Sequence, residues 1–177
     1  MARSSKLQDQ ARVAPRLRRA YYECRYGQLH LHNAIPGGGG FDELTPVVCL
    51  HGAGETGRVF APVLSVLGEA RSVYAFDLPG TGESDPAPGE AAVDSTISAV
   101  VDFIDSMRIR QFDLLARGDA AAAVLKLFEA RGPAIRRAVL LGAAGVRSAP
   151  KITLLSAADA ASPQLPARLV DLLGAGA

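Results

Sequence analysis

The sequence has no tryptophan, two cysteines, two methionines and three histidines. Cys24 and Cys49 each lie inside an apolar, strand-like segment, so a disulfide framework is not expected and a reducing, cytoplasmic setting is. An excess of either charge is also missing. Lys and Arg together number 19 against 18 for Asp and Glu, a formal net charge of +1, which gives no electrostatic case for a nucleic-acid partner. No apolar run approaches the length of a membrane span and nothing resembles a secretory apolar region, so no membrane partner is expected either. Few histidines also means few candidates for a general base or an imidazole ligand: only His30, His32 and His51.

What is present is a chain of 177 residues, enough for one domain with a substantial core, with 49% apolar and 21% charged residues, near the globular average. Positive charge crowds the start: Arg3, Lys6, Arg12, Arg16, Arg18 and Arg19, with Asp9 the sole acid among them. Arg-rich, acid-poor starts are what transit peptides look like, but a solvated arm over residues 1–19 is the plainer reading. From Ala20, YYECRYG and QLHLHNAIP are two β-prone runs joined near Gly27-Gln28, which predicts an antiparallel hairpin. The glycines at 37–40 form a flexible connection with no side chain to do chemistry.

Beyond it, strand-like and helix-like patterns alternate from Pro46 to Gly145. PVVCL (46–50), SVYAFD (72–77), FDLLA (112–116) and AVLLGAAG (138–145) read as strands of the kind buried on both faces. VFAPVLSVLGEA and AAAAVLKLFEA read as helices, and between them Val93, Ile97, Val100, Val101, Ile104 and Met107 recur at helical spacing. The expected fold is α/β, a mostly parallel sheet with helices on both faces, preceded by an antiparallel hairpin. After Gly145 the pattern stops, and 147–177 reads as a partial lid-like or loosely ordered segment. The strand around Ala138 to Leu141 is then expected at the sheet edge, where an exposed apolar strand invites pairing with a second copy of the chain.

The stretch CLHGAGETGRVF (49–60) parses in two ways. Gly52, Gly54 and Gly57 spell G-x-G-x-x-G after a strand, with Asp77 about 20 residues further on to hold a ribose hydroxyl, the pattern of an NAD-binding oxidoreductase. Alternatively, strand, His51-Gly52, small residue and helix make a loop whose backbone N–H groups face a developing oxyanion. Against the first parse stand the hairpin ahead of the motif and the bulky Arg58, Val59 and Phe60 behind it. The residues after Asp77 decide between the two: Leu78-Pro79-Gly80-Thr81-Gly82-Glu83-Ser84-Asp85.

With D-L-P-G-T-G-E-S-D matching a D-x-P-G-x-G-x-S turn, LHGAG matching a His-Gly oxyanion loop, YGQLHLHNA matching the first two strands and RRAVLLGAAG the sixth, the chain resembles the α/β-hydrolase superfamily over residues 20–146. The resemblance implies relatives that hydrolyse small esters, epoxides or related substrates. It implies a pocket loop at His51, Gly52 and Gly54, a first oxyanion donor at the backbone N–H of Ala53 and a second at that of Asp119. It also implies a nucleophile at the centre of a G-x-S-x-G elbow, and here the corresponding turn reads Ala116-Arg117-Gly118-Asp119-Ala120, with glycine at the centre. Glycine accepts the elbow's backbone angles without a Cβ penalty, but it cannot attack a carbonyl.

Asp119, one residue past the apex, is expected to swing its side chain away from the pocket and to serve as an N-cap or first-turn acid rather than as a carboxylate nucleophile. The family's histidine and acid lie after later strands, so neither is offered here. His30 and His32 sit at period two and share one face of the hairpin, which suggests a metal pair; no third ligand can be named, exposed strand histidines are the plainer reading, and no metal or other cofactor is expected. Ser84 reads as a turn hydroxyl, Arg117-Gly118-Asp119 as a chance adhesion tripeptide and Cys49 as a small buried hydrophobe. The sequence thus points to an α/β-hydrolase-like protein that is catalytically incomplete, being either part of a hydrolase-fold protein or a non-catalytic module for a small apolar or ester-like ligand.

Overall fold

A computed structural model describes residues 14–38, 44–89 and 91–174. Most of the basic arm, residues 1–13, and the last two glycines of the 37–40 run lie outside the described residues. The hairpin strands are β1, Arg16–Cys24, and β2, Gly27–Ile35, paired antiparallel with Arg16 opposite Ile35 and Cys24 opposite Gly27. Arg16, Arg18 and Arg19, expected in the arm, are therefore the opening residues of a strand.

Four short apolar runs become the centre of the sheet: β3, Val47–Leu50; β4, Val73–Phe76; β5, Phe112–Arg117; and β6, Ile135–Leu141. Every residue of β3 and β4 is buried, as continuous apolar strands must be when helices cover both faces. The helices are α1, Ala61–Leu67; α2, Ala92–Ser106; and α3, Ala121–Arg131. A seventh strand, β7, Ile152–Leu155, pairs parallel with β6, Ala138 opposite Ile152 through Leu141 opposite Leu155. The sheet order is β1-β2-β4-β3-β5-β6-β7, with the β1–β2 and β2–β4 pairs antiparallel and the other pairs parallel.

β7 corrects two expectations. Ala138 to Leu141 is interior, so the proposed edge for self-pairing is covered within the chain. The segment after Gly145 is not a loosely ordered lid: after β7 come α4, Ala157–Ala160, started by a Ser156/Asp159 capping box, and α5, Leu165–Gly174. Leu165, Leu169 and Leu173 recur at i, i+4, i+8 and bury against the same layer as Val63, Leu64 and Leu67 of α1.

Side-chain alternation sorts the core into two layers. Val48, Leu50, Tyr74, Phe76, Leu29 and Leu31 face α2 and α3; Val47, Cys49, Val73, Ala75 and Ala34 face α1 and α5. Phe103 of α2 is the hub of the first layer, meeting Tyr22, Tyr74 and Phe76 edge-on at ring separations of 5.0, 5.0 and 4.9 Å. The buried stripe of α2 runs through Ala99, Val100, Phe103 and Ile104, while Met107, counted in the sequence stripe, lies exposed past the helix end. The expected α/β architecture is present: a mixed seven-stranded sheet between helical layers, opened by an antiparallel hairpin.

Candidate functional site

The chain leaves β3 toward β4 on one side and reaches β5 on the other, so the strand order reverses between β3 and β5. Ligands of open α/β sheets bind at such a reversal, outside the carboxyl ends of the strands. Leu50 and Ala116 are register partners at those ends, which brings the loop 51–56 beside the turn 117–119.

At the turn, Gly118 has φ +55°, the left-handed region that an L side chain resists, and a Cβ placed on it would meet nothing within 4 Å. The turn thus takes a left-handed backbone angle at a residue that carries no functional group. Asp119 comes next, in a short 3₁₀ turn, Gly118–Ala120, at whose start backbone N–H groups have no helix-internal acceptor.

Asp119 does not turn away. Its Oδ1 accepts the backbone N–H of Ala53 at 2.8 Å, so a carboxylate oxygen already sits on the N–H expected to be the first oxyanion donor. The elbow's close approach to β3 makes this possible, because only one residue separates the apex from a side chain long enough to cross to the facing loop. The next N–H of that loop is engaged in the same way. Gly52 N–H donates to Glu55 Oε2 at 3.0 Å, and Glu55 is gripped by the Arg117 guanidinium, Nη2 to Oε1 at 2.9 Å and Nε to Oε2 at 3.1 Å. Partial burial alone would raise the Glu55 carboxyl; the bonds from Arg117 and Gly52 outweigh it and hold the group below its ordinary value. The Arg-Gly-Asp tripeptide is accordingly engaged at the site, Arg117 with Glu55 and Asp119 with Ala53, although Asp119 is exposed.

His51 is buried with both ring nitrogens committed. Nε2 accepts the N–H of Leu78 at 3.0 Å, which makes Nδ1 the protonated nitrogen, donating to Gly52 O at 2.8 Å. Thr81, whose hydroxyl donates to Leu78 O at 2.7 Å, closes the contact from the other side. His51 therefore braces the loop and offers no free nitrogen for proton transfer.

Two adjoining cavities meet at this point. A small one of about 130 Å³ is mostly apolar, lined by Leu78, Pro79, Val93, Ala120 and Ala123, with Thr96 among them. A wider one of about 450 Å³ carries Glu55, Arg117, Gly118, Leu141 and Ala160. Gly52, Ala53 and Asp119 line both.

The dinucleotide parse does not survive the geometry. Gly57 packs against β4, where an added Cβ would stand 2.4 Å from Ala75 O, and its N–H donates to Asp77 Oδ1 at 2.8 Å. Asp77 is buried and also accepts from Glu83 N–H at 3.0 Å and from His30 Nδ1 at 2.8 Å, so it staples three segments together instead of reaching a ribose. Burial would raise its carboxyl, and these bonds reverse the sign, holding it low. Ser84 is the turn hydroxyl expected, donating to Asp77 O at 2.6 Å and accepting from His30 N–H at 2.8 Å. Cys49 is fully buried, its thiol pushed well up by desolvation, and is inert.

His30 and His32 do share a face, with rings 4.9 Å apart, but the expectation of exposed histidines is wrong: His30 is 1% exposed and His32 half-buried, because helix α1 covers this side of β2. Sequence reasoning also missed Glu55, and it named Asp119 but turned its side chain away from the loop it engages. Glu55 lies three residues past Gly52 and Asp119 one past the apex, a spacing that carries the signal only when the two loops are set side by side.

No helix among the described residues is long and apolar enough to cross a membrane. A sequence profile described as the alpha/beta hydrolase family matches residues 47–176. The chain is 31% identical over 123 residues to 2-hydroxymuconate semialdehyde hydrolase of Pseudomonas sp. (strain CF600), covering 67% of this chain and 41% of that protein. In fold it is similar to naproxen esterase (carboxylesterase NP) from Bacillus subtilis, at TM-score 0.63 and 20% identity over 73% of this chain and 44% of the other. The Cif epoxide hydrolase from Acinetobacter nosocomialis gives TM-score 0.62 and 23% identity over 71% and 38% of the two chains. The sequence thus spans less than half the length of each of these relatives. With the profile, the sheet order and the paired loops in agreement, the chain belongs to the alpha/beta hydrolase family.

Proposed function

We propose that this chain holds a small apolar or ester-like ligand at the β3/β5 reversal without hydrolysing it. One observation carries the reading: the apex of the elbow is Gly118, and the oxyanion N–H beside it is already taken by the Asp119 carboxylate at 2.8 Å. Acyl transfer needs a nucleophile at the apex and donors free for the charge that develops on the carbonyl oxygen. Here the apex has no nucleophilic group, and a fixed negative charge stands where negative charge has to form. A base is equally wanting beside the apex: His51 has both nitrogens engaged, and His30 and His32 line a separate cavity. The glycine and the carboxylate would keep this effect in a longer polypeptide, because they lie at the reacting centre itself.

The smaller cavity, about 130 Å³, approaches the size of a cavity known to admit benzene, so a short acyl chain or a single ring suits it. The rest of such a ligand would extend past Asp119 toward Glu55 and Arg117. The names of the relatives, a semialdehyde hydrolase, an esterase and an epoxide hydrolase, support a ligand of small-ester dimensions.

The test is an amide-resolved NMR titration with phenyl acetate and with its unreactive analogue benzyl methyl ketone. Shifts for both ligands at Ala53, Val93, Thr96 and Ala123 are expected. Perturbation confined to other surfaces, or none at millimolar ligand, would remove the proposal.

A further inference from the structure

A third cavity, about 440 Å³, lies away from the elbow and shares no lining residue with the two around Gly118. Its walls include His30, His32, Thr56, Arg58 and Asp77. His30, His32 and Asp77 each present a possible donor atom, and the three atoms lie within 4.8 Å of one another.

The hydrogen bonds set the state of the nearer imidazole. Asp77 takes N–H donors from Gly57 and Glu83, so its carboxylate is ionised, and His30 Nδ1 at 2.8 Å must be the protonated nitrogen. With Nδ1 committed to Asp77, Nε2 of His30 is the nitrogen left to take a ligand. It is buried and has no hydrogen-bond partner, an unusual condition for a polar atom in a packed interior. A carboxylate behind Nδ1 with Nε2 presented forward is the arrangement that orients and enriches an imidazole ligand of a metal ion. The His32 ring stands 4.9 Å away, edge to face, and among the described residues no side-chain hydrogen bond holds it.

We propose that His30 and His32, with Asp77 behind them, form a site for a divalent transition metal of the zinc class. Ligand atoms of a tetrahedral zinc ion stand about 2.0–2.1 Å from the metal, closer together than 4.8 Å, and the unrestrained His32 ring is the element that rotates inward to close the set. Two imidazole nitrogens, with Asp77 holding Nδ1 of His30 from behind rather than coordinating, make a borderline donor set. Magnesium and calcium, which need several free oxygens, are rejected on the same ground. Arg19 does not oppose the ion with its full charge, because Glu83 pairs with it at 2.9 Å. Arg58 is exposed, with its charge in solvent.

With three histidines in the chain, ring-nitrogen NMR reads the site directly. On adding zinc to the full chain, the expected result is a shift of the His30 and His32 ring resonances that saturates at one ion per chain. The His51 ring stays still, and millimolar magnesium has no effect. His32→Gln, at a half-buried position, should fold with an unchanged amide spectrum and bind zinc about tenfold or more weakly. Cys24→Ser should bind as the parent does. Still rings at His30 and His32, a zinc-dependent shift at His51 alone, undiminished binding by His32→Gln, or binding lost in Cys24→Ser would each overturn the assignment.

Discussion

Replacing Gly118 by serine restores the residue type expected at a hydrolase elbow, and the structure fixes what that change should do. The backbone there has φ +55°, where an L residue costs about 1–2 kcal/mol relative to glycine. No packing penalty adds to it, since a Cβ at this position meets nothing within 4 Å. For a domain of this size about 1 kcal/mol corresponds to about 2–4 °C in Tm, so Gly118→Ser should melt about 2–8 °C lower by calorimetry. Gly118→Ala should lose the same amount, because the strain lies in the backbone and not in the hydroxyl. Neither variant should hydrolyse 4-nitrophenyl esters faster than the parent. The serine hydroxyl finds no free imidazole nitrogen beside the elbow, since His51 has both engaged and His30 and His32 line another cavity, and the carboxylate on Ala53 N–H opposes an oxyanion. A loss beyond about 15 °C would show that the apex is packed after all, and efficient ester turnover by the serine variant would show that a base is in reach; either refutes the reasoning.

Asp119→Ala frees the Ala53 N–H, worth about 1 kcal/mol to an incoming acceptor, so benzyl methyl ketone should bind roughly fivefold more tightly by calorimetric titration. Asp113 is fully buried between Arg71 at 3.3 Å and Arg136 Nε at 3.0 Å; Asp113→Ala leaves Arg71 a buried, uncompensated cation and should cost about 3–5 kcal/mol in urea denaturation. Phe103→Ala empties the hub between α2 and the sheet and should cost about 3–5 kcal/mol by the same measurement. Asp77 and Glu55 are both held below their ordinary values in the folded state, so the stability they contribute is present above about pH 4 and lost as pH falls through their folded values. Tm should be flat near neutrality and fall below about pH 4, less steeply in Glu55→Gln.

Sequence and structure agree wherever the local pattern alone determines the outcome. VVCL and VYAF are buried on both faces and admit no reading but interior strands, and the D-L-P-G turn is held by its own residues, Thr81 to Leu78 and Ser84 to Asp77. β7 escaped because Ile152–Leu155 is four residues long, comes soon after a proline and borrows its register from β6. α5 escaped because Pro166 reads as a breaker, whereas in the first turn of a helix it costs no hydrogen bond. The side-chain facts were out of reach for a different reason. That Asp119 crosses to Ala53 depends on loops 66 residues apart in sequence, and that His30 is buried and tied to Asp77 depends on a turn closing over β2. Periodicity places residues on faces; it does not say what stands opposite.

The most direct measurement is the release of 4-nitrophenolate when the purified chain, at substrate-stoichiometric concentration, meets 4-nitrophenyl butyrate. The expected trace is the buffer rate with no burst, because no group at the Gly118 apex can accept an acyl unit. A burst matching the protein concentration, or turnover above buffer that Asp119→Ala abolishes, would mean that a nucleophile operates in this pocket and that binding without hydrolysis is wrong.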